Sequence, residues 1–256
     1  MGTLVAIEAR SPDAAQAEEA VNAAFAVVHN VESLLHPTRA GSDLARLNRA
    51  AAGCRLPVHP WTVALIQLSQ ELCAQSRGLF EPALPGTGSI MHWLPAGAFA
   101  VVVRQRARVD FGGIAKGYAV DLAVAAMRRA GVRHGLINAG GDLRVFGDLP
   151  WPVTIRTGDS TMAVELRNCA LATSDPGCKD QPAEHRGYHR GGPGRADRAP
   201  RPASVVAPTA AIADALTKIV MFAARANSVR LLAHYGARPL IPAGPDPHRA
   251  PRTYSW

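Results

Sequence analysis

The residues best suited to chemistry lie between Asp110 and Asp121, where a glycine pair and a lysine follow a short apolar run. The run Ala100 to Arg104 predicts a strand, and Gly112-Gly113 lets the backbone turn closely before a helix that begins near Ala115. The unpaired amides of a helix N-terminus form an anion site, and Lys116 adds a full positive charge in the first turn. The stretch predicts a phosphate site, although a glycine pair between strand and helix is more often only a tight turn.

A second glycine pair follows this helix. The helix is expected to run to about Ala130 and to end at Gly131. Residues Gly135 to Ala139 then predict a short buried strand, Gly140-Gly141-Asp142 a turn, and Leu143 to Gly147 another strand. Two such turns, each beside an aspartate, would bring polar groups and bare backbone to one edge of a sheet.

These two segments, Asp110 to Asp121 and Asn138 to Asp142, closely resemble the two central motifs of the FAD:protein FMN transferases, the ApbE flavinyltransferases. The first motif is long and specific. The resemblance also covers four shorter segments and reaches about residue 225: Met1 to Thr3, Ser42 to Asn48, Ala172 to Ser174, and Ala207 to Asp214.

The resemblance implies a two-lobed α/β (α+β) single domain with mixed sheets over residues 1–241. The implied activity is binding of FAD and transfer of its FMN moiety to a threonine hydroxyl of an acceptor flavoprotein, with release of AMP. One alternative is a family member that retains FAD without transferring it, because several motif positions differ; Thr38, for example, stands where the family usually has an aromatic residue against the flavin. A remoter alternative is a basic α/β scaffold without a cofactor.

The resemblance also assigns cofactor-binding residues. In the segment Gly78 to Pro82, Glu81 takes the place of an aspartate that lies along the flavin, although a turn after a helix explains this segment equally well. The residues implied to bind FAD are Met1, Leu79, Phe80, Glu81, Asp110, Lys116, Gly140 and Gly141.

A magnesium site is implied at the helix after Thr209. By resemblance, the Gly113 carbonyl and Asp214 would bind Mg²⁺, and Lys218 holds the third ligand position, where the family has threonine. Asp214 and Lys218 are four residues apart, so a solvated ion pair is the alternative. A protonated lysine cannot bind Mg²⁺, so its charge would either replace the ion or weaken its binding. We therefore expect a weaker dependence on magnesium than the family pattern implies.

Between Asp175 and Ala203 the sequence is rich in Gly, Pro and Arg and has almost no aliphatic residue, which predicts a largely disordered loop or a lid. The family motif that closes the FAD site falls here in a degraded form, with Gly192 for an aspartate and Gly194 for an arginine. His189 is the candidate catalytic base by resemblance, and His185 is a competing alignment. An imidazole that titrates near neutrality suits that role.

Composition limits the remaining possibilities. The 256 residues, 48% of them hydrophobic, can bury a sizeable core. The net charge of +8 does not favour nucleic-acid binding, because no helix has a basic face interleaved with aromatic residues, and attraction of an anionic dinucleotide is a sufficient use for the charge. No segment is apolar enough to span a membrane and no signal peptide is visible, which indicates a cytoplasmic protein as it stands, whereas family members are commonly exported. The cysteines are expected to be free thiols: Cys54, Cys73, Cys169 and Cys178.

Hydrophobic periodicity predicts the scaffold elements. Residues 11–35 predict a helix with Ser11 as N-cap and Pro12 at its first position. Further helices are expected over Trp61 to Arg77, Thr209 to about Ala224, and Ser228 to Gly236. Strands are expected over Trp151 to Thr157 and Met162 to Leu166, joined by a Gly158-Asp159 turn, and over Pro239 to Ile241. Ordered structure is expected to resume at Ser204 to Pro208, and Pro242 to Trp256 is expected to form a Pro-rich tail.

Overall fold

A computed structural model of the chain describes residues 2–157, 160–176, 201–222, 225–240 and 252–256. Met1 and His189 lie outside these ranges, as do the Gly158-Asp159 turn and most of the tract from Asp175 to Ala203. The strands are β1 Val5–Arg10, β2 Arg55–Pro57, β3 Trp93–Pro95, β4 Ala100–Val103, β5 His134–Ala139, β6 Asp142–Phe146, β7 Trp151–Thr157, β8 Ser160–Arg167, β9 Ala170–Ser174, β10 Ala203–Ala207, β11 Arg238–Leu240 and β12 Arg252–Ser255. The helices are α1 Ala14–Leu35, α2 Asp43–Arg49, α3 Pro60–Gln75, α4 Ala115–Arg129, α5 Ala210–Phe222 and α6 Arg225–His234.

A six-stranded antiparallel sheet in the order β1-β5-β6-β9-β10-β11 forms the centre of the molecule. Helices α1, α4 and α5 cover one of its faces, and inward side chains such as Ile137, Ala172 and Val205 join the larger hydrophobic cluster there. The alternate residues Leu171 and Val206 belong to a second cluster. The central strands β9 and β10 are therefore buried on both faces, whereas the edge strand β1 alternates half-buried and exposed side chains.

A three-stranded sheet, β12-β8-β7, supplies the second cluster, through side chains that include Trp151 and Leu166. Strand β8 pairs antiparallel with β7 and parallel with β12, so this sheet is mixed, as the fold-class prediction expected. A second three-stranded sheet, β2-β4-β3, packs with α3 and extends the larger cluster. The predicted α/β class is confirmed.

Two helix ends differ from the sequence prediction. Helix α1 begins later than expected, because the side chain of Asp13, and not that of Ser11, accepts hydrogen bonds from the amides of Ala15 and Gln16. Helix α3 ends before Arg77, because Arg77 and Gly78 both adopt positive φ angles, of 53° and 77°, which cannot continue an α-helix.

The prediction of a tail from Pro242 onward is wrong at its end, where β12 forms. The backbone carbonyl of Trp256 accepts a hydrogen bond from Asn168, its indole Nε1 donates to the carbonyl of Gly236, and Tyr254 packs on the second cluster. A short strand whose partner lies more than 80 residues earlier has no local signal in the sequence, since its order depends on that distant pairing. The other predicted elements are found within about three residues of their expected bounds, the largest difference being the start of α6 at Arg225 instead of Ser228.

Candidate active site around Lys116 and Asp214

The first glycine turn, Gly112-Gly113, is held in place through the backbone of Val109. Val109 pairs with Ala83 in an isolated bridge, and the side-chain amide of Asn48 makes two hydrogen bonds with the Val109 backbone, of 2.7 and 2.9 Å. The motif segment Ser42 to Asn48 thus positions the turn. Asp110 then accepts a 2.7 Å hydrogen bond from the amide of Gly112 through Oδ1, which closes the turn on itself.

Helix α4 begins directly after this turn and has no side-chain cap. Its N-cap residue is Ile114, which has no polar side chain to accept from the first amides. One of these amides, from Gly117, instead donates to Oδ2 of Asp214 at 3.3 Å. A buried carboxylate from α5 therefore lies at the N-terminus of α4, where the helix dipole favours negative charge.

The second glycine turn joins β5 to β6 with two positive φ angles, 64° at Gly140 and 94° at Gly141. The side chain of Asn138 accepts from the amide of Gly141 at 2.9 Å. Gly140 also closely approaches Thr3, which precedes β1, since a Cβ on Gly140 would lie 2.1 Å from Oγ1 of Thr3. Only glycine fits this position, and the turn presents its backbone beside the first residues of the chain.

Four charged side chains connect the two turns. The ammonium of Lys116 lies 3.0 Å from Oδ2 of Asp142 and 3.8 Å from Oδ2 of Asp214. The ammonium of Lys218 lies 2.7 Å from Oδ1 of Asp214. Both carboxylates are buried, whereas the lysine side chains keep 23% and 13% of their surface exposed. Lys116 therefore links the first glycine turn to the second, which ends at Asp142.

The two carboxylates differ in their acidity. Burial and the nearby charge of Asp214 raise the pKa of Asp142 to about 6 from its ordinary 3.8. Burial alone would also raise the pKa of Asp214, but the charges of Lys116 and Lys218 together lower it below the ordinary value. Asp214 is thus the more acidic of the two carboxylates.

Two hydroxyl groups complete the surroundings of Lys218. Its Nζ donates to Oγ of Ser174 at 2.6 Å and to Oγ1 of Thr217 at 3.1 Å. The two hydroxyls are themselves 2.7 Å apart, and that of Thr217 donates to the carbonyl of Asp214 at 2.6 Å. The sequence reasoning left Asp142, Ser174 and Thr217 out of the site, although the first two end segments that it had matched to family motifs.

Helix α5 is itself anchored by α4. The carboxylate of Asp121 accepts hydrogen bonds from the amides of Ala210 and Ala211, both 2.9 Å. It also forms an ion pair with Arg144 at 2.7 Å. Asp121, the last residue of the first motif, therefore caps the helix that presents Asp214. Burial raises its pKa, which the guanidinium of Arg144 partly offsets.

The residues Leu79, Phe80 and Glu81 lie around a neighbouring loop. Both oxygens of Glu81 accept hydrogen bonds there, from the amides of Ala83 and Ile90, both 3.0 Å, and from the hydroxyl of Ser89 at 2.6 Å. Phe80 is buried, and its ring edge would lie 3.7 Å from a Cβ on Gly113. Phe80 thus packs near the first glycine turn. The hydrogen bonds of Glu81 stabilise the loop in which Glu81 lies.

The residues present do not fit a magnesium ion. Oδ1 of Asp214 already binds the ammonium of Lys218, and the Lys218 stem passes Gly113, with Cγ 3.4 Å from the position of a Cβ there. Unit charges about 4 Å apart repel by roughly 4 kcal/mol at an effective dielectric constant near 20, and a divalent ion would feel twice that from Lys218. Among the residues that the structure describes, no group of three or more His, Cys, Asp or Glu side chains could hold a metal ion.

The sequence also predicted the absence of a membrane-spanning segment and the presence of free cysteines. Within the described ranges no helix has the length and apolar character needed to cross a membrane. Cys54, Cys73 and Cys169 are free thiols, as expected, and Cys178 lies outside the described residues.

Comparison with known proteins places this geometry in a family. The chain is 33% identical over 187 residues to the FAD:protein FMN transferase of Rhodobacter capsulatus, a match over 60% of this chain and 36% of the relative, so the chain spans about a third of that protein's length. The fold is that of the apo flavinyl transferase ApbE from Pseudomonas stutzeri, with a TM-score of 0.76 and 22% identity over 94% of this chain and 88% of the other. It is equally close to the ApbE protein of Thermotoga maritima, with a TM-score of 0.78 and 21% identity over 93% and 90%.

The sequence model of the ApbE family matches residues 1–94 and 89–240, which together span most of the chain. The protein therefore belongs to the ApbE family.

Proposed function

We propose that this protein is an enzyme that binds FAD and transfers its FMN moiety to a threonine hydroxyl of an acceptor protein, with release of AMP. The observation that best supports the proposal is the position of Lys116, which lies at the start of α4 beside one glycine turn and pairs with Asp142 at the end of the other. Two backbone turns that converge on one ammonium group suit a ligand with two linked phosphates.

The ligand side of the site consists of Lys116 and backbone. At Gly112-Gly113 and Gly140-Gly141, no side chain separates a phosphate oxygen from the main chain. Nearly a quarter of the Lys116 side chain is exposed to solvent. A pyrophosphate that approached this edge would meet a positive charge, with the buried carboxylates of Asp142 and Asp214 behind it. Those carboxylates hold the lysines in place, so the charge is preorganised.

The reaction requires no redox step. The threonine oxygen forms a bond to the phosphorus of the FMN half, the anhydride bond to the AMP half breaks, and the hydroxyl proton passes to a base while AMP leaves with the bridging oxygen. The protein's part is to align the anhydride and neutralise its charge. His189 is our candidate base by resemblance to the family motif; it lies outside the described residues.

The comparisons do not favour the alternative of a flavin-binding protein without transferase activity, since the curated relative is named as a transferase. The test has two steps. Quenching of FAD fluorescence during titration with the protein should show binding, and incubation of the complex with threonine-containing peptides should release AMP and leave flavin covalently on the peptide. Peptides in which valine replaces threonine are the matched control. Binding without AMP release from any threonine peptide or acceptor would contradict the transferase proposal.

A further inference from the structure

We propose that the ammonium group of Lys218 is the built-in cation of this site, and that the protein binds the pyrophosphate of FAD without a divalent metal ion. The inference rests on the proposed function for the identity of the ligand. The exclusion of a metal ion depends only on the residues around Asp214 and can be tested without FAD.

The oxygen atoms around Lys218 match an ammonium group in number and placement. A protonated lysine donates three hydrogen bonds, and three side-chain oxygens lie within reach, from Ser174 at 2.6 Å, Asp214 at 2.7 Å and Thr217 at 3.1 Å. These are hard oxygen ligands, the kind that Mg²⁺ prefers. The ammonium thus uses the same atoms that a divalent ion would need, and a metal ion could enter only by displacing it.

The charges of the cluster are balanced without a metal ion. Two buried carboxylates, Asp142 and Asp214, face two lysines, Lys116 and Lys218, so the fixed charges in the cluster compensate one another. In the FAD-free site, a divalent ion added beside Asp214 would leave two excess positive charges next to Lys218. In a site whose carboxylates are fully buried, such an excess is poorly screened by solvent.

The stem of Lys218 lies against the first glycine turn. Its Cγ and Cε atoms lie 3.4 and 3.5 Å from the position that a Cβ on Gly113 would occupy. The stem of Lys218 therefore lies at van der Waals distance from position 113 of this turn. This fit places the positive charge of α5 against the turn that would receive the phosphates.

The inference predicts that one substitution would create a metal site. In Lys218→Thr the positive charge is removed and a hydroxyl is added beside the carboxylate of Asp214 and the hydroxyls of Ser174 and Thr217. Mn²⁺ is a suitable probe, because it takes the same oxygen ligands as Mg²⁺ and is detected directly by electron paramagnetic resonance.

In the FAD-free protein, Mn²⁺ titration followed by this signal should show no binding in the micromolar range for the unmodified chain. The Lys218→Thr protein should bind Mn²⁺ at least about tenfold more tightly, because a repelling charge is exchanged for an oxygen ligand. Lys218→Arg, which retains the charge, is the matched control and should behave like the unmodified chain. Micromolar Mn²⁺ binding by the unmodified chain would overturn the inference, and this measurement needs no variant to fold.

The second measurement is FAD affinity, by fluorescence quenching, in EDTA and in MgCl₂. The unmodified chain should bind FAD with the same affinity in both buffers, whereas Lys218→Thr should bind it more tightly with Mg²⁺. A gain of about tenfold or more for the unmodified chain on adding Mg²⁺ would overturn the inference. Absence of FAD binding in both buffers would overturn the proposed function instead, and the Mn²⁺ titration would still decide whether Lys218 excludes the metal ion.

Discussion

A Cβ atom on Gly117 would lie 2.2 Å from the carbonyl oxygen of Ala210, so helices α4 and α5 touch backbone to backbone at this point. The amide of the same glycine donates to Asp214, and Asp121, one turn further along α4, accepts from the amide of Ala210. Lys116 and Asp214 therefore lie close together because Gly117 allows α4 and α5 to approach each other.

Replacement of this glycine should destabilise the protein. Alanine has the higher helix propensity, by about 1 kcal/mol, but its methyl group would collide with a backbone atom that cannot rotate away, and overpacking of this kind costs about 1–3 kcal/mol. We expect Gly117→Ala to lower the free energy of unfolding, measured by urea denaturation. Gly41→Ala, where a Cβ would meet nothing within 4 Å, is the control. A Gly117→Ala protein more stable than the unmodified chain would show that the helices can separate at no cost.

The Asp121 cap is a second point at which the helices depend on each other. Asp121→Ala removes the acceptor for the amides of Ala210 and Ala211 and leaves Arg144 without this carboxylate, which should cost about 1–3 kcal/mol in unfolding free energy. Substitution of the exposed Glu18 by Gln is the control. Because α5 presents Asp214 and Lys218, FAD binding should weaken along with stability. Unchanged stability would mean that water caps α5 equally well.

The sequence predicted local features and missed those that depend on distant partners. Helix α4 was located to within one residue, because its glycine turn, its apolar periodicity and Gly131 are all local; Gly131 has the expected positive φ, of 87°. The N-terminus of α1 was misplaced because both Ser11 and Asp13 can cap a helix, and only the folded backbone decides which side chain reaches the amides.

The same distinction applies to the site. Gly113, Lys116, Asp214 and Lys218 were predicted to be neighbours through the family resemblance, and the structure brings them together. Ser174 could not be linked to Lys218 from the sequence, since the two residues are 44 positions apart and meet only when β9 packs on α5. The donors to the two carboxylate oxygens of Glu81 are likewise Ala83, Ser89 and Ile90. They lie in a loop whose path cannot be predicted from hydrophobic periodicity.

Lys116 provides the most direct test of the phosphate site. Lys116→Ala should weaken FAD binding by roughly 1.5–3 kcal/mol if the ammonium makes a charge-assisted hydrogen bond to the pyrophosphate. Lys116→Arg, which keeps the charge, should lose less. Fluorescence titration with FAD and with riboflavin separates the effects, because riboflavin has no phosphate and its affinity should not change. An equal loss for both ligands would show that Lys116 acts through the fold rather than on the phosphates.

Asp142 should give the protein a recognisable pH dependence. Its pKa of about 6 in the folded state exceeds the ordinary 3.8, so between about pH 4 and 6 the folded state holds more protons than the unfolded state. Its contribution to stability is therefore largest below this window and falls by about 3 kcal/mol as pH rises through it. The lowered pKa of Asp214 has the opposite effect and removes stability only as pH falls toward the acid end.

Urea denaturation across this pH range measures the effect. In Asp142→Asn the fall in unfolding free energy between about pH 4 and 6 should be smaller than in the unmodified chain, because the titrating group is absent. Substitution of Asp148, an exposed carboxylate, by Asn should leave the pH profile unchanged. If Asp142→Asn has the same profile as the unmodified chain, another group titrates in this window.

The thiol of Cys73 lies on α3, beside the loop that the hydrogen bonds of Glu81 stabilise. Burial, together with the charge of Glu81 and a hydrogen bond from its own thiol to that carboxylate, raises the pKa of Cys73 to about 12. At about pH 8 only roughly one thiol in ten thousand would then be ionised, and the thiolate is the reactive form. Iodoacetamide should therefore label the exposed Cys54 in the native protein and leave Cys73 unlabelled, as measured by mass spectrometry of the two peptides. Labelling of both residues after unfolding in urea is the control. Equal labelling rates in the native state would show that the α3 segment opens faster than the reagent reacts, and that Glu81 does not hold its loop closed.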